Sequence, residues 1–367
     1  MTLSRVAIVH ERWTERGGAE NVVQQLAMEW PEATVYVPFA DPTAIPPALE
    51  GRMRVTALDR LHRATGRQSH APLLPLVPRN LRALDFGDAD AVIISHHALA
   101  LAAASAAMVP TIAYVHSPAR WAWDPAMRRG ETSSRVGRAA LSALARQTVR
   151  TESLAAGKVT AIVANSREVA RRIEKWWGRS SVVVHPPVNT DRFVPIGPAA
   201  KEDFFLLAGR LVPYKRADLA VRAARRAGVR LVVAGDGRSA AQCKAIAGPE
   251  TTFLGRVSDA ELVGLQQKAR ALIMPGVEDF GIVPVEAMAC GTPVIALGAG
   301  GSLDTVIPDV SGILIEPGED EAVVDRFAAA MRGFRPAEFN DTEIRRHAEA
   351  FSEKQFRIKM REVVSNL

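Results

Sequence analysis

The chain has 367 residues, 48% of them hydrophobic and 23% charged, with two cysteines and a net charge of +6. That length exceeds one usual core and predicts two domains, while Cys243 and Cys290 are too few for a disulfide scaffold or a zinc site and fit a reducing cytoplasm. Residues 1–190 hold 23 Lys and Arg against 16 Asp and Glu, and residues 191–367 hold 23 against 24; a basic first half suits phosphate-bearing acceptors or an anionic membrane surface, or simply solvates its helices with Arg.

Residues 6–9, VAIV, form a short apolar strand candidate with no signal peptide expected before it. The chain then runs through HERWTERGG to a helix over 21–29. The pair Gly17-Gly18 at this strand-to-helix junction exposes backbone donors at the positive end of a helix, where an anion is received, although such a pair also serves a plain turn. Further strand candidates lie at 34–37, 91–95, 111–115 and 161–164. Asp88-Ala-Asp90 matches a metal-binding Asp-x-Asp string, but it precedes a strand where a ligand-bearing string would follow one. It reads as a turn, and no metal is expected. The weakly polar run 98–115 approaches membrane length, yet Ser105 and Pro110 interrupt it, so a helix followed by a buried strand accounts for it. At its end stands HSPARWAWD. His116 closes a strand, and Arg120, Trp121, Trp123 and Asp124 offer stacking and hydrogen-bonding surface to a sugar or acceptor.

The segment 182–195, with its Pro-Pro pair, cannot continue a helix and reads as an exposed connection, placing a boundary near residue 190. Strand candidates then resume at 204–208, 230–234, 252–254, 271–274 and 294–297. Strands alternating with helices predict an α/β class with parallel sheets covered on both faces. After 204–208 come Arg210 and Lys215, at the strand end where open α/β sheets bind ligands, and before a helix over 217–227. Such a pair grips a diphosphate and neutralises a leaving group. Gly235 ends the next strand in a tight turn; Arg256 and Val257 follow the one after, with Ser258 a helix N-cap. These loops frame a base and ribose.

The most informative stretch is EDFGIVPVE at 278–286, followed by AMACGTPVI. Glu278 stands in a loop, and Glu286 is expected in the first turn of the helix that follows. Between them Asp279, Phe280, Gly281, Ile282 and Val283 let backbone approach a ligand, with N–H groups free for an anion. Hydroxyl acceptors flanking phosphate donors make a site shaped for a nucleotide sugar. Gly298-Ala-Gly300-Gly301 lacks the third glycine of a dinucleotide fingerprint, so no nicotinamide is expected. Apolar Phe356, Met360 and Val363-Val364 at helical spacing predict a terminal helix.

With these residues laid out, the chain resembles a family-4 retaining glycosyltransferase of GT-B architecture. The resemblance rests on the paired glutamates Glu278 and Glu286, on Gly209-Arg210 with Lys215, and on Asn165-Ser166; the runs EDFGIVPVEAMACGTPVIA, HSPARWAWD and GRLVPYKR are similar to bacterial mannosyltransferases of surface-polysaccharide type. It implies two Rossmann-like domains facing a cleft, residues 1–190 on the acceptor side and 191–350 on the donor side, with a helix over 351–367 crossing back to the first. It implies transfer of a sugar, mannose from GDP-mannose, to a glycan or lipid-linked acceptor, with no cofactor beyond the donor and no nucleic-acid partner. By motif, Gly17 and Gly18 approach the donor diphosphate, Arg210 and Lys215 bind it, Glu286 holds the ribose, Glu278 and the 279–281 backbone take the donor sugar, and His116 lies beside that sugar.

A UDP- or ADP-sugar donor on the same fold stays open, as does a non-catalytic nucleotide-sugar binder. An epimerase lacks its acid and base carboxylates here, and a phosphorylase needs a pyridoxal-binding lysine. Peripheral contact with an anionic membrane is suggested by the run LLPLVP at 73–78 near Arg60, Arg63, Arg67, Arg79 and Arg82; buried packing of the leucines is the competing account.

Overall fold

A computed structural model describes residues 5–15, 17–64, 66, 71–128, 134–197 and 200–367. The chain divides into two compact units, Met1–Pro186 with Phe356–Leu367, and Pro187–Gln355.

The first unit is a seven-stranded sheet in which every pairing is parallel. Its strands are β1 (Val6–His10), β2 (Thr34–Val37), β3 (Met53–Val55), β4 (Ala91–His96), β5 (Thr111–Val115), β6 (Ala161–Ala164) and β7 (Val182–Val183), ordered β3-β2-β1-β4-β5-β6-β7. Parallel strands buried on both faces need continuous apolar runs, and β1, β4 and β5 are buried at every position. Alternate residues feed two cores. Val9, Val92, Ile94 and Val115 face one side; Ile8, Ile93, Ile112 and Tyr114 face the other. Phe356, Met360 and Val364 of the terminal helix Glu353–Ser365 join the second of these cores. Arg361 of that helix also pairs with Glu29.

The second unit repeats the scheme with β8 (Phe205–Ala208), β9 (Leu231–Ala234), β10 (Thr251–Gly255), β11 (Ala271–Met274), β12 (Val294–Leu297) and β13 (Gly312–Ile315) in the order β10-β9-β8-β11-β12-β13, again all parallel. The helices Ala217–Ala227 and Asp320–Gly333 cover one face, and Ile282–Ala289 with Asp341–Glu349 the other.

Three short strands escape the sequence pattern. β3 and β7 are edge strands of three and two residues, too short for an alternation, and β7 lies inside the segment read as a connection. β13 begins at a glycine, whose Cβ would lie 1.9 Å from the Val294 carbonyl. The run after residue 98 is a helix followed by a buried strand, the helix being of 3-10 type over Ala100–Ser105 before β5. Asp88 and Asp90 lie in the turn before β4, where both accept from the Arg5 guanidinium. Of the LLPLVP run, Leu73, Leu74 and Val77 turn inward and Leu76 is exposed; Arg67 lies outside the described residues. Among the described residues no helix is long and apolar enough to cross a membrane.

Because Phe356 is 2% exposed and touches Tyr114 edge-on, with ring centroids 5.6 Å apart, its removal opens a cavity in the first unit. Phe356→Ala is expected to cost about 3–5 kcal/mol, read as a lower midpoint in urea unfolding. A loss below about 1 kcal/mol would show that the terminal helix does not contribute to this core.

Candidate active site

Both sheets have a point where the strand order reverses direction, the place where open parallel sheets bind ligands. In the second unit it lies between β8 and β11. The loop after β8 carries Arg210 and Lys215, and the loop after β11 carries Glu278, so the topology itself brings these together. Lys215 Nζ lies 2.8 Å from Glu278 Oε1, with both side chains about four-fifths buried. Arg210 is exposed and makes no ion pair among the described residues. Arg216, in the left-handed region with φ 51°, closes the loop and anchors it through Asp218 and Asp320.

Glycines let these loops pack backbone to backbone. A Cβ on Gly235 would stand 1.9 Å from the Gly209 carbonyl, one on Gly276 2.6 Å from that of Lys215, and one on Gly301 2.3 Å from that of Phe280. Gly301 N–H donates to the Glu278 carbonyl at 2.9 Å. The Gly298–Gly301 stretch set aside as a failed dinucleotide motif is therefore the brace under Glu278 and Phe280. Gly281, at φ 92°, is the N-cap of Ile282–Ala289 and has no side chain of its own to cap that end. Asp279 stands half-buried in the same loop, and Phe280 is buried against Phe351.

Glu286 is the fifth residue of that helix, not part of its first turn as expected. Helix-dipole support is correspondingly weak there. Burial pushes its carboxyl up to about 7; the Gln266 amide, Arg192 and Lys215 oppose the rise, and Asp259 adds to it. Gln266 is wholly buried. Arg256 is exposed and Val257 half-buried, just before the capping box that Ser258 and Glu261 form at the helix Asp259–Lys268.

In the first unit the reversal lies between β1 and β4. His10 and Ser95, paired in register at the ends of these strands, are wholly buried. Ser95 Oγ lies 3.0 Å from His10 Nδ1 and 2.8 Å from His116 Nε2. Burial, with the neighbouring His97, His10 and His96 rings, holds His116 well below the ordinary histidine range, so it is neutral at pH 7. Gly17 is the N-cap of the helix Gly18–Glu29, and Glu20 in its first turn stands against it.

Two buried carboxylates hold this end of the sheet. Glu11 Oε1 accepts from the backbone N–H of His97, Ala98, Leu99 and Ala100 at 2.6–3.2 Å. Glu152 accepts from Ala119 N–H at 2.9 Å and from the indoles of Trp123 and Trp177. His96, wholly buried, lies between them, its Nε2 3.0 Å from Glu152 and its Nδ1 facing both Glu11 at 3.4 Å and the Leu101 backbone N–H at 3.2 Å. Burial alone would lower its pKa, but the two carboxylates raise it to about 9. Trp123 also stacks on Trp176, with centroids 5.8 Å apart. Its indole N–H is therefore committed to the fold. Trp121, Arg120 and Asp124 are partly exposed on or beside the short helix Arg120–Trp123.

The family described as Glycosyltransferase Family 4 matches residues 16–192, and that described as Glycosyl transferases group 1 matches residues 188–338. These two glycosyltransferase domain families thus match the chain in succession, one over its first half and the other over its second. A D-inositol 3-phosphate glycosyltransferase of Geodermatophilus obscurus is 32% identical over 64% of this chain and 60% of its own length; one of Mycobacterium avium is 35% identical over 42% of each chain. The chain thus spans less than two thirds of the curated relatives it matches. The structure of Anabaena Alr3699/HepE in complex with UDP-glucose superposes with a TM-score of 0.72 at 19% identity, covering 99% of this chain and all of that one. Sucrose-phosphate synthase from Thermosynechococcus elongatus gives 0.72 at 18%, covering 99% and 98%. At these identities the likeness is one of fold.

Sequence reasoning missed Glu11, His10, Ser95, His96, Glu152 and Gln266. The signal was present as polar residues at the ends of otherwise apolar strands, His10 in VAIVH and Ser95-His96 in AVIISH. The His96 bridge has a pH signature. A raised folded-state pKa gives stability that is complete below about 6.5 and lost as pH rises through about 9. Melting temperature is expected to fall by several degrees between pH 7 and 9.5, with a shallower slope in His96→Gln; parallel slopes would discount the bridge.

Proposed function

We propose that the protein is a retaining, nucleotide-sugar-dependent glycosyltransferase whose donor is GDP-mannose and whose acceptor is a glycan or lipid-linked glycan of the cell envelope. The observation that carries the reading is the Lys215–Glu278 pair at the β8/β11 reversal, beside the helix N-terminus at Gly281. A diphosphate competes with Glu278 for the Lys215 ammonium and gains Arg210 from the exposed side. Backbone N–H groups at 281–283 add the positive end of a helix. As the glycosyl–phosphate bond breaks, charge collects on the leaving diphosphate, and these fixed donors stabilise it. The released Glu278 carboxylate accepts from donor-sugar hydroxyls. His116 is assigned to the same sugar, Glu286 to the ribose, and the loops at Gly235 and Arg256–Val257 to the rest of the nucleoside.

Mannose and guanine are supported by the similarity of EDFGIVPVEAMACGTPVIA and GRLVPYKR to mannosyltransferases. A second reading, a UDP-sugar donor, is favoured by the UDP and UDP-glucose held by the Anabaena protein. An inositol phosphate acceptor is the corresponding alternative from the curated relatives. The proposed site of action is the cytoplasmic side of the cell, with peripheral contact to anionic membrane through the basic first unit; sedimentation with anionic liposomes at low salt tests that contact.

Thermal stabilisation by GDP, UDP, ADP and dTDP, each alone and as its sugar, separates the donor readings. A rise confined to GDP and GDP-mannose supports the first, a UDP-selective rise replaces it, and no rise with any nucleotide overturns the donor site. Lys215→Ala is expected to lower turnover by about 10²–10³ while leaving a cooperative melt; activity within a few-fold of wild type would refute the assignment.

Glu286 gives an independent test. A carboxyl pushed up to about 7 accepts from two ribose hydroxyls more strongly when ionised, so nucleotide binding lowers its pKa and releases protons. Affinity is expected to rise between pH 6 and 8, with proton release seen by calorimetry in buffers of different ionisation enthalpy. Glu286→Gln should abolish that release. A pH-independent affinity in wild type would remove Glu286 from the ribose.

A further inference from the structure

The polar groups at the β1/β4 reversal form a chain with a direction. Glu20 Oε1 lies 3.5 Å from His10 Nε2, His10 Nδ1 lies 3.0 Å from Ser95 Oγ, and Ser95 Oγ lies 2.8 Å from His116 Nε2. His10 and Ser95 are wholly buried, and Glu20 is 8% exposed. An ionised carboxylate only accepts hydrogen bonds. In a neutral His10 ring the single proton therefore lies on Nε2, facing Glu20, and Nδ1 accepts. Ser95 must then donate to His10, which leaves its oxygen to accept from His116.

We propose that Ser95 is a positioning residue that, with His10 and Glu20, fixes His116 as the Nε2–H tautomer and so presents its Nδ1 lone pair as a hydrogen-bond acceptor for a sugar hydroxyl. The first half of this statement concerns the protein alone; the second rests on the assignment of His116 under the proposed function. Glu11 supports the arrangement, because its four backbone bonds to residues 97–100 fix the chain directly after Ser95. His116 N–H donates to the His96 carbonyl at 2.8 Å, which fixes the start of its own loop. The ring has little freedom to seek another partner: Tyr114 meets it edge-on with centroids 5.2 Å apart, and His97 lies 6.3 Å away. A neutral imidazole carries one proton, so its tautomer decides whether the other nitrogen accepts or donates.

The tautomer is read by long-range proton–nitrogen correlation on the full chain labelled with nitrogen-15 histidine, the His116 signals being assigned by their loss in His116→Gln. At pH 7.5 the expected pattern is a protonated Nε2 and a bare Nδ1 in wild type. Ser95→Ala, which removes the donor and acceptor, is expected to give a mixture of tautomers. Glu20→Gln, close to isosteric but able to donate, is expected to do the same while keeping the fold. A wild-type ring protonated on Nδ1, or a tautomer unchanged in both variants, overturns the proposal.

Turnover tests the second half. Ser95→Ala is expected to lower kcat about tenfold, as the loss of one hydrogen bond would, with little change in donor KM, and Ser95→Thr is expected to recover most of it. A shifted tautomer with unchanged kcat overturns the functional half. If His116→Ala also keeps wild-type turnover, the failure belongs to the assignment of His116 itself. Loss of activity in His116→Ala with none in Ser95→Ala places the failure in Ser95.

Discussion

Lys215 and Glu278 meet across the one position in the second sheet where neighbouring strands send their loops in opposite directions. Everything around them follows from keeping that gap narrow. The loops approach with backbone against backbone, which is why Gly235, Gly276, Gly300 and Gly301 each stand where a Cβ would fall within about 2.6 Å of a neighbour's main chain. A side chain at any of these points would push a loop outward and lengthen the ion pair. The pair itself is mostly shielded from water, where an unpartnered charge is expensive. Each partner therefore holds the other in place. The ammonium needs an anion, and the carboxylate needs a donor.

The first unit uses the same reversal point for different chemistry. Its strand ends carry imidazoles and a serine, backed by carboxylates that are fully engaged. Glu11 takes four backbone N–H groups, and Glu152 takes a backbone N–H, two indoles and His96. Buried charges are tolerated only with such complete satisfaction, and the return is rigidity at the strand ends that support His116. Glu152 lies on the helix Arg135–Ala156, far along the chain from the segment it holds. It fastens Ala119 and Trp123, so the HSPARWAWD stretch is pinned three and seven residues after His116.

How far this was legible in the sequence depends on whether a signal was local. The long strands were, because β1, β4, β5, β8, β11 and β12 are apolar runs bounded by turn residues. So were Lys215 and Glu278, which follow such runs. β3, β7 and β13 were not, since pairing with a neighbour and not their own pattern makes them strands. The turn position of Glu286 was misjudged because the helix starts only after Gly281. The polar network failed for a different reason. His10 and Ser95 lie on strands 85 residues apart along the chain, His116 directly follows a third, and only the order β1-β4-β5 makes them neighbours. Gly298–Gly301 was read as a failed ligand motif because a glycine run looks alike whether it approaches a phosphate or another backbone.

The two reversal points also differ in the sign of what they offer. The second presents a lysine, an exposed arginine and a helix start at a glycine, all suited to negative charge. In the first, the helix after Gly17-Gly18 already carries Glu20 in its opening turn, buried against the loop and bonded to His10. A carboxylate at the positive end of a helix fills the role an anion would take. Gly17 is explained by the closeness of Glu20, whose Oε2 would lie 3.0 Å from a Cβ. A neutral His116 and hydrogen-bonded carboxylates suit hydroxyl groups better than phosphate.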